Sequence, residues 1–442
     1  MRRPAIKIAV ALGVVGLTGA ASVTAPLLAA TGPTPVVSAL ISPRIVTAQQ
    51  GHARFLVGAR LSMRARLLVR ITRVSTKRVM QTIVSSGFHK AGRAFLLIQA
   101  TDTHGYQLPQ GAYSVFIGAT SAGGRNARGH SYPLTLNYTA PRGVFDWYTV
   151  PNDADIRSSL KLHRSSGQVV AAVHPGGAVA NAGILRGDVI VNINGLSVAS
   201  PGGFAQALRL VPAGTPVNVQ LLRGVTTMTK AITAPPDWNA VPSMSSQLGA
   251  AAATRAFGYS FALVSYDISI GNFGPASRII GSWSKANAAT ATAQLARAQL
   301  LAATRNQPGA LTYWTRALAR DGSLSQAAFG QGIAYDATGN DPAAANAFAH
   351  AVCLDGASAS DPAYQALALD QAHLPYLAIP PAGAAVAIDA TDPNALAAEG
   401  VTLIQTGQRA VGVSALEHGV VLTDDAARAQ LLITTFLEPS VP

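Results

Sequence analysis

The stretch PGGAVANAGILRGDVIVNING, residues 175–195, decides how the chain folds. It contains Arg186-Gly187-Asp188, a tripeptide that reads either as a cell-adhesion signal or as a turn. Its frame favours the turn. Pro175 with Gly176 and Gly177 ends the run QVVAAV, which is rich in strand-forming β-branched residues. AVANAG reads as a short helix stopped by Gly183, in the position of a glycine C-cap. Gly187 supplies a positive-φ turn into DVIVNI, and Asn194-Gly195 is a strong two-residue hairpin signal. Arg186 is then expected to be a solvated loop residue, and the binding surface to lie elsewhere.

Working outward, Ser200-Pro201 reads as N-cap and first residue of a helix through FAQALRLV. VNVQLL and VTTMTKAIT, joined at Arg223-Gly224, form a closing hairpin. This order, with VHPGG, AGILRGDVI and ING, resembles a bacterial HtrA-type PDZ domain over residues 156–234; the usual serine after Pro-Gly is Gly177. The resemblance implies a small α+β barrel with two helices spanning 145–236. It also implies a groove that takes an extended peptide as an added strand. On that resemblance the capture loop falls on IRSSLKL, at Arg157, Ser158, Ser159 and Leu160 with Leu162 beyond. The family's loop glycines are absent there, and Arg157 offers a charge instead. The facing wall would be Phe204, Ala207, Leu208 and Val211; the alternative is that these residues only pack the core.

Upstream, residues 36–140 carry short apolar runs broken by Gly, Pro and Asn, the pattern of an antiparallel β-sandwich. The segment DTHGYQLPQGAYSVFIGATSAGGR, with Leu108-Pro109, Gly111 and Tyr113, resembles the immunoglobulin-like domains of bacterial flagellar-hook-assembly and secreted proteins. The tryptophan usual before the turn is missing. Residues 31–144 hold fourteen Lys/Arg against one acid, Asp102, so most of the net charge of +13 belongs to this region. Arg64, Arg66 and Arg70 are evenly spaced, which puts them on one sheet face of a regular strand. That face is either a solvated basic surface or a binding surface for an anionic cell-wall polymer or membrane.

Downstream, the chain turns Ala-rich and helical. Gly271, Gly339 and Gly407 open similar segments at gaps of 68, which is two periods of 34. The same ruler aligns Ala276, Ala310, Ala344, Ala378 and Gly412. It also aligns Ala317, Ala351, Ala385 and Gly419, and a column Asp321, Asp355 and Asp389. A period of 34 resembles the tetratricopeptide repeat, and Gly332, Ala334, Tyr335, Gly339, Ala344, Phe348, Ala351 and Leu354 match its pattern. An α-solenoid of four to five helical hairpins is expected over 247–437. The unit at 358–391 is expected to be irregular because Pro375, Pro380 and Pro381 fall within it.

The N-terminus carries Arg2, Arg3 and Lys7 before an apolar run from Ile8 to Ala30. This reads as a secretory signal peptide over 1–30, or as an uncleaved signal anchor. Cys353 is the single cysteine, so no internal disulfide exists; beside Val352 and Leu354 it is expected to be a buried apolar residue. An exported chain without disulfides fits a bacterial cell envelope.

Too few residues precede the PDZ-like segment for a trypsin-like domain, and no Gly-x-Ser-x-Gly turn occurs, which argues against a protease. The histidines are scattered without metal-ligand spacing, and no phosphate-cradling loop is present. The sequence therefore predicts no enzyme, no cofactor and no nucleic-acid partner. It predicts a multidomain exported scaffold, an immunoglobulin-like sandwich, a PDZ domain and a tetratricopeptide-like solenoid, binding protein or peptide ligands. The alternatives are a client-delivery subunit of a separate envelope protease and a wall- or membrane-surface binding protein.

Overall fold

The computed structural model describes residues 36–49, 53–122, 129–139, 143–236, 243–423 and 425–437. The segment 1–30, read above as a signal peptide or anchor, lies outside the described residues. The chain divides into two compact units, with boundaries at Ala140/Pro141 and Ala390/Thr391.

In the first unit, two sheets enclose one apolar core. One sheet has β1 (Val36–Ser42), β3 (Arg54–Leu61) and β6 (Gly92–Gln99) in the order β1-β3-β6. The other has β2 (Ile45–Gln49), β4 (Ala65–Arg73), β5 (Val79–Val84), β7 (Gly111–Ser121) and β8 (His130–Thr139), in the order β2-β8-β7-β4-β5. Pairing is antiparallel except between β2 and β8, which run parallel, a departure from the wholly antiparallel expectation. The chain changes sheets between β1 and β2, and that brings β2 beside β8 in the same direction. The alternation of β4 sets the core: Ala65, Leu67, Val69 and Ile71 are each 0% exposed, and Arg66 and Arg70 take the other face. Two phenols fix the Leu108-Pro109 turn. Tyr113 donates its hydroxyl to the Pro109 carbonyl and Tyr138 to the Leu108 carbonyl, each at 2.6 Å.

The second unit begins with a six-stranded sheet. Along the chain it contains β9 (Trp147–Pro151), α1 (Ala154–Leu160), β10 (Gln168–Val173), α2 (Ala178–Asn181), β11 (Val189–Ile193), β12 (Leu196–Ser197), α3 (Pro201–Arg209), β13 (Pro216–Arg223) and β14 (Thr226–Thr233). The strand order is β14-β13-β11-β10-β9, with β12 paired to β11. Asn194 and Gly195 both take positive φ, 49° and 86°, as the tight β11–β12 hairpin requires. Ser200 caps α3 by accepting from the Gly203 amide, with Pro201 in the first turn.

Arg186-Gly187-Asp188 is held inside this fold. Gly187 takes φ 93° in the turn, and Asp188 is 1% exposed. Its two carboxylate oxygens accept from Nε and Nη2 of Arg223, each at 2.8 Å, and one also accepts from the Leu185 amide. Arg186 is exposed as expected, but its guanidinium lies 5.2 Å from the Tyr259 ring centroid instead of standing free in solvent.

Helices follow: α4 (Ser245–Ala252), α5 (Phe257–Ser269), α6 (Phe273–Ser282), α7 (Lys285–Ala288), α8 (Ala291–Ala303), α9 (Gln307–Arg320), α10 (Ser325–Ala337), α11 (Asp341–Leu354), α12 (Ser360–Gln371) and α13 (Pro375–Ile388). In the first unit α14 (Pro393–Gln405), α15 (Arg409–Leu422) and α16 (Ala426–Leu432) precede a short π turn, Ile433–Leu437. There Arg54 of β3 reaches the Thr423 carbonyl at the end of α15.

The helices keep the 34-residue ruler. α6, α9, α11, α13 and α15 begin at residues 273, 307, 341, 375 and 409. Small residues permit the close helix pairing. A Cβ on Gly330 would stand 2.5 Å from the Trp314 ring, and one on Gly332 equally close to Phe348. The unit at 358–391 is a regular helix pair, which corrects the expected irregularity. Pro375 opens α13, where its missing amide has no partner to lose. Pro380 and Pro381 forgo bonds to the carbonyls of Tyr376 and Leu377, which sit in an exposed first turn, 72% and 60% accessible. Cys353 is exposed, contrary to expectation, because the buried residues of α11 are Ala344, Ala345, Ala347, Phe348 and Ala351.

The sheet of the second unit and its helices share a core. Val150, Val169, Ala171, Ala172 and Val189 from the strands cluster with Met244, Leu248, Phe261, Ala262 and Val264 from the helical side. Tyr148 of β9 meets Tyr266 of α5 edge to face, with ring centroids 5.4 Å apart.

Candidate peptide-binding site

β9 is the edge strand of its sheet, with no strand paired beyond it among the described residues. An edge strand offers unpaired backbone groups to an incoming chain. Its side chains divide between two cores. Tyr148 and Val150 face the helices, while Trp147, with Phe145 just before it, joins the core beneath α3. Phe145 and Trp147 stack at 4.7 Å between centroids, and Trp147 lies 6.5 Å from Phe204. β9 and α3 therefore form two walls, with aromatic side chains between them.

The α3 residues named from sequence fall on this wall. Ala207 and Val211 are each 1% exposed and buried in the core, and Phe204 and Leu208 are half-buried against it. Their spacing is one helix face, and Val211 lies just past the helix end. The Val211 carbonyl accepts from the Gly143 amide at 2.9 Å, which ties the end of α3 to the segment just before β9.

Arg157, Ser158, Ser159 and Leu160 are not a loop before the binding strand. They are the second half of α1, and this corrects the expected capture loop. The physical reason is local: Asp153 accepts from the Ile156 amide at 2.8 Å as an N-cap, and Lys161 terminates the helix with φ 53°. α1 is turned toward the helices. Ser159 Oγ accepts from the Gly258 amide at 2.9 Å, and Leu160 packs so near that a Cβ on Gly258 would stand 3.0 Å from its Cγ. Leu162 packs against the same shared core, and Ser158 is exposed. Arg157 reaches the Ser165 carbonyl, at 3.4 Å, and borders a cavity of about 700 Å³ where β9 ends and α3 begins. Pro151, Asn152, Pro201, Arg320 and Asp321 also line that cavity.

The residues that sequence reasoning missed are Phe145, Asp146 and Trp147. The signal was present in FDWYTV, a short aromatic and β-branched run that stops before Pro151. Asp146 is 6% exposed and accepts from the Val179 amide at 3.0 Å. Nearby, the Val144 amide donates to the Pro235 carbonyl at 2.9 Å. The backbone amides of Gly143 and Val144 are thus both engaged within the domain.

Asp153 is a perturbed acid beside the site. Burial pushes its carboxyl up to about 6, against the opposing effect of hydrogen bonds from the Ile156 amide and the Thr292 hydroxyl. Asp155 joins it there, accepting from the Thr292 amide at 2.9 Å, so α1 is fastened to the start of α8.

The geometry agrees with a family match. Residues 169–223 match the family described as PDZ domain. They form a PDZ domain. No curated protein matches the chain. Among solved structures, the chain is similar to MamA, at 17% identity and TM-score 0.33, covering 38% of this chain and 97% of that one. It is similar also to PilF of Pseudomonas aeruginosa, at 15% identity and TM-score 0.36, covering 42% of this chain and 86% of that one.

In the first unit, Arg64, Arg66 and Arg70 fall on one side of β4, Arg64 just before the strand and the other two within it. Each lies over an aromatic ring. Arg64 and Arg66 stand 5.4 Å and 4.6 Å from the centroid of Phe88, and Arg70 stands 5.9 Å from Phe116.

Proposed function

We propose that this chain is an exported, non-enzymatic interaction scaffold that takes an extended protein segment along β9, against α3. The observation carrying this reading is the unpaired edge of β9 lying beside the apolar wall of Phe204, Ala207 and Leu208. Backbone pairing supplies affinity there, and the aromatic-lined groove supplies selection. The engaged amides of Gly143 and Val144, with the buried carboxylate of Asp146 beside them, favour internal segments over free C-termini. Export rests on the N-terminal sequence alone, and a place in the bacterial envelope follows from it.

The test is a fluorescent peptide library titrated against the full chain, each sequence made as free acid and as C-terminal amide. Hits should bind equally in both forms and weaken about tenfold or more with Phe204→Ala, in line with loss of a central aromatic contact. A library without any binder rejects the reading. Binding confined to free acids rejects only the preference for internal segments. Hits that prove to be segments of an envelope protease would make the scaffold a client-delivery subunit.

The basic sheet face supports a second reading. Arg64, Arg66 and Arg70 are held over rings, which orders their guanidinium groups for contact with an anionic wall polymer or membrane surface. The immunoglobulin-like resemblance of this unit belongs to the same proposal. Retention on anionic vesicles that falls with salt, and is lost on reversing the three charges, is the expected result; retention indifferent to salt excludes it.

A further inference from the structure

The acidic column that recurs every 34 residues meets helix α3. Asp355, at the end of α11, is 4% exposed and holds the start of α3: one oxygen accepts from Ser200 Oγ at 2.7 Å, the other from the Gly202 amide at 2.6 Å. Asp389, at the end of α13, is 8% exposed and is ion-paired with Arg209 in the last turn of α3. Asp321, at the end of α9, lines the cavity that Pro201 also borders. One face of a helical repeat thus grips both ends of the PDZ helix. The fit is close, since a Cβ on Gly202 would stand 2.7 Å from Asp355 Oδ1 and from the Ser358 amide.

From this we infer that the acidic column is an internal docking surface for α3 that holds the peptide groove shut. The inference rests on the reading of β9 and α3 as a peptide groove. Phe145 and Trp147, at 7% and 8% exposure, already occupy the space between those walls. A peptide that beds its side chains there must move α3 away from β9. β9 cannot retreat, because Tyr148 and Val150 are packed into the core shared with the helices. Opening therefore falls on α3, and Asp355 and Asp389 oppose it with charge-assisted bonds at its two ends. Any partner that competes for the acidic column would free α3, so occupancy of the column and of the groove are linked.

The experiment compares the full chain with the double variant Asp355→Ala/Asp389→Ala, and with the charge exchange Arg209→Asp/Asp389→Arg. Amide hydrogen exchange is read over Phe204–Leu208, and affinity is read with the fluorescent peptides described above. The double variant should exchange about tenfold faster in α3 and bind the peptides that the native chain binds about tenfold more tightly. The charge exchange should stay near the native values. Cooperative thermal unfolding of each variant, with native β10 protection, establishes that the fold persists. Unchanged α3 exchange, or unchanged or weaker peptide affinity in the double variant, overturns the clamp. Peptides that are lost with Phe204→Ala but indifferent to the clamp variants overturn this inference and leave the groove reading standing. Peptides indifferent to Phe204→Ala overturn both.

Discussion

The two large sheets of this protein bury their strands differently. β4 of the first unit alternates, with Leu67, Val69 and Ile71 in the core and Arg66 and Arg70 outside it. β10 of the second unit is buried at Gln168 and at every residue through Ala172. A strand covered on one face alternates, and a strand covered on both reads as a continuous apolar run. The difference teaches that the PDZ domain is not a freestanding module. One side of its sheet packs under α3, and the other is roofed by α4 and α5.

The largest expected effect tests that roof. Phe261 is 3% exposed in α5, within the core that contains Val169 and Ala171. Phe261→Ala should cost about 3–5 kcal/mol through lost burial and the cavity left behind. Chemical denaturation of the full chain measures it, with β10 amide exchange rising in parallel. A loss below about 1 kcal/mol would show that sheet and helices are separable.

A smaller effect comes from pH. Burial pushes the carboxyls of Asp153 and Asp361 up to about 6. Both groups hold in the folded state a proton that the unfolded chain has released by about pH 4. The stability they contribute is thus complete below that pH and disappears as pH rises through about 6. The melting temperature of the second unit should fall between pH 4.5 and 7. Asp153→Asn should flatten that slope; a slope unaltered in the variant would mean that Asp153 ionises as an ordinary carboxylate.

How much of this was legible in the sequence follows the same contrast. The alternation of ARLLVRITR placed Arg66 and Arg70 opposite the core, and the helix starts keep the 34-residue period. Those features are local or periodic, so they leave a trace in spacing. The groove was half legible. Phe204 and Leu208 show helical spacing, but the opposite wall, Phe145 and Trp147, is a short run without periodic support. The helical state of Arg157–Leu160 is set by the Asp153 cap, a local signal that the resemblance to a capture loop hides. The clamp leaves no local mark, for Asp355 meets Ser200 across 155 residues of chain. The 34-residue column gave the spacing of Asp355 and Asp389 but nothing about what they hold.

The smallest expected effect lies on the one-sided sheet. Arg66 sits outside the core of β4, and its guanidinium stands 4.6 Å from the Phe88 centroid. An exposed cation over an aromatic ring is worth about 0.5–1 kcal/mol. Arg66→Ala should therefore change stability by no more than about 1 kcal/mol, because the inward residues Leu67 and Val69 keep their packing. Arg66→Glu should cost little more in urea denaturation, while it reverses a charge on the face proposed to meet anionic surfaces. A cost above about 2 kcal/mol would place Arg66 in the packing of the unit and weaken the case for a surface role. Near-native stability with lost retention on anionic vesicles would separate the two, which the doubly covered β10 cannot do: a charge there would disrupt the fold before any binding could be measured.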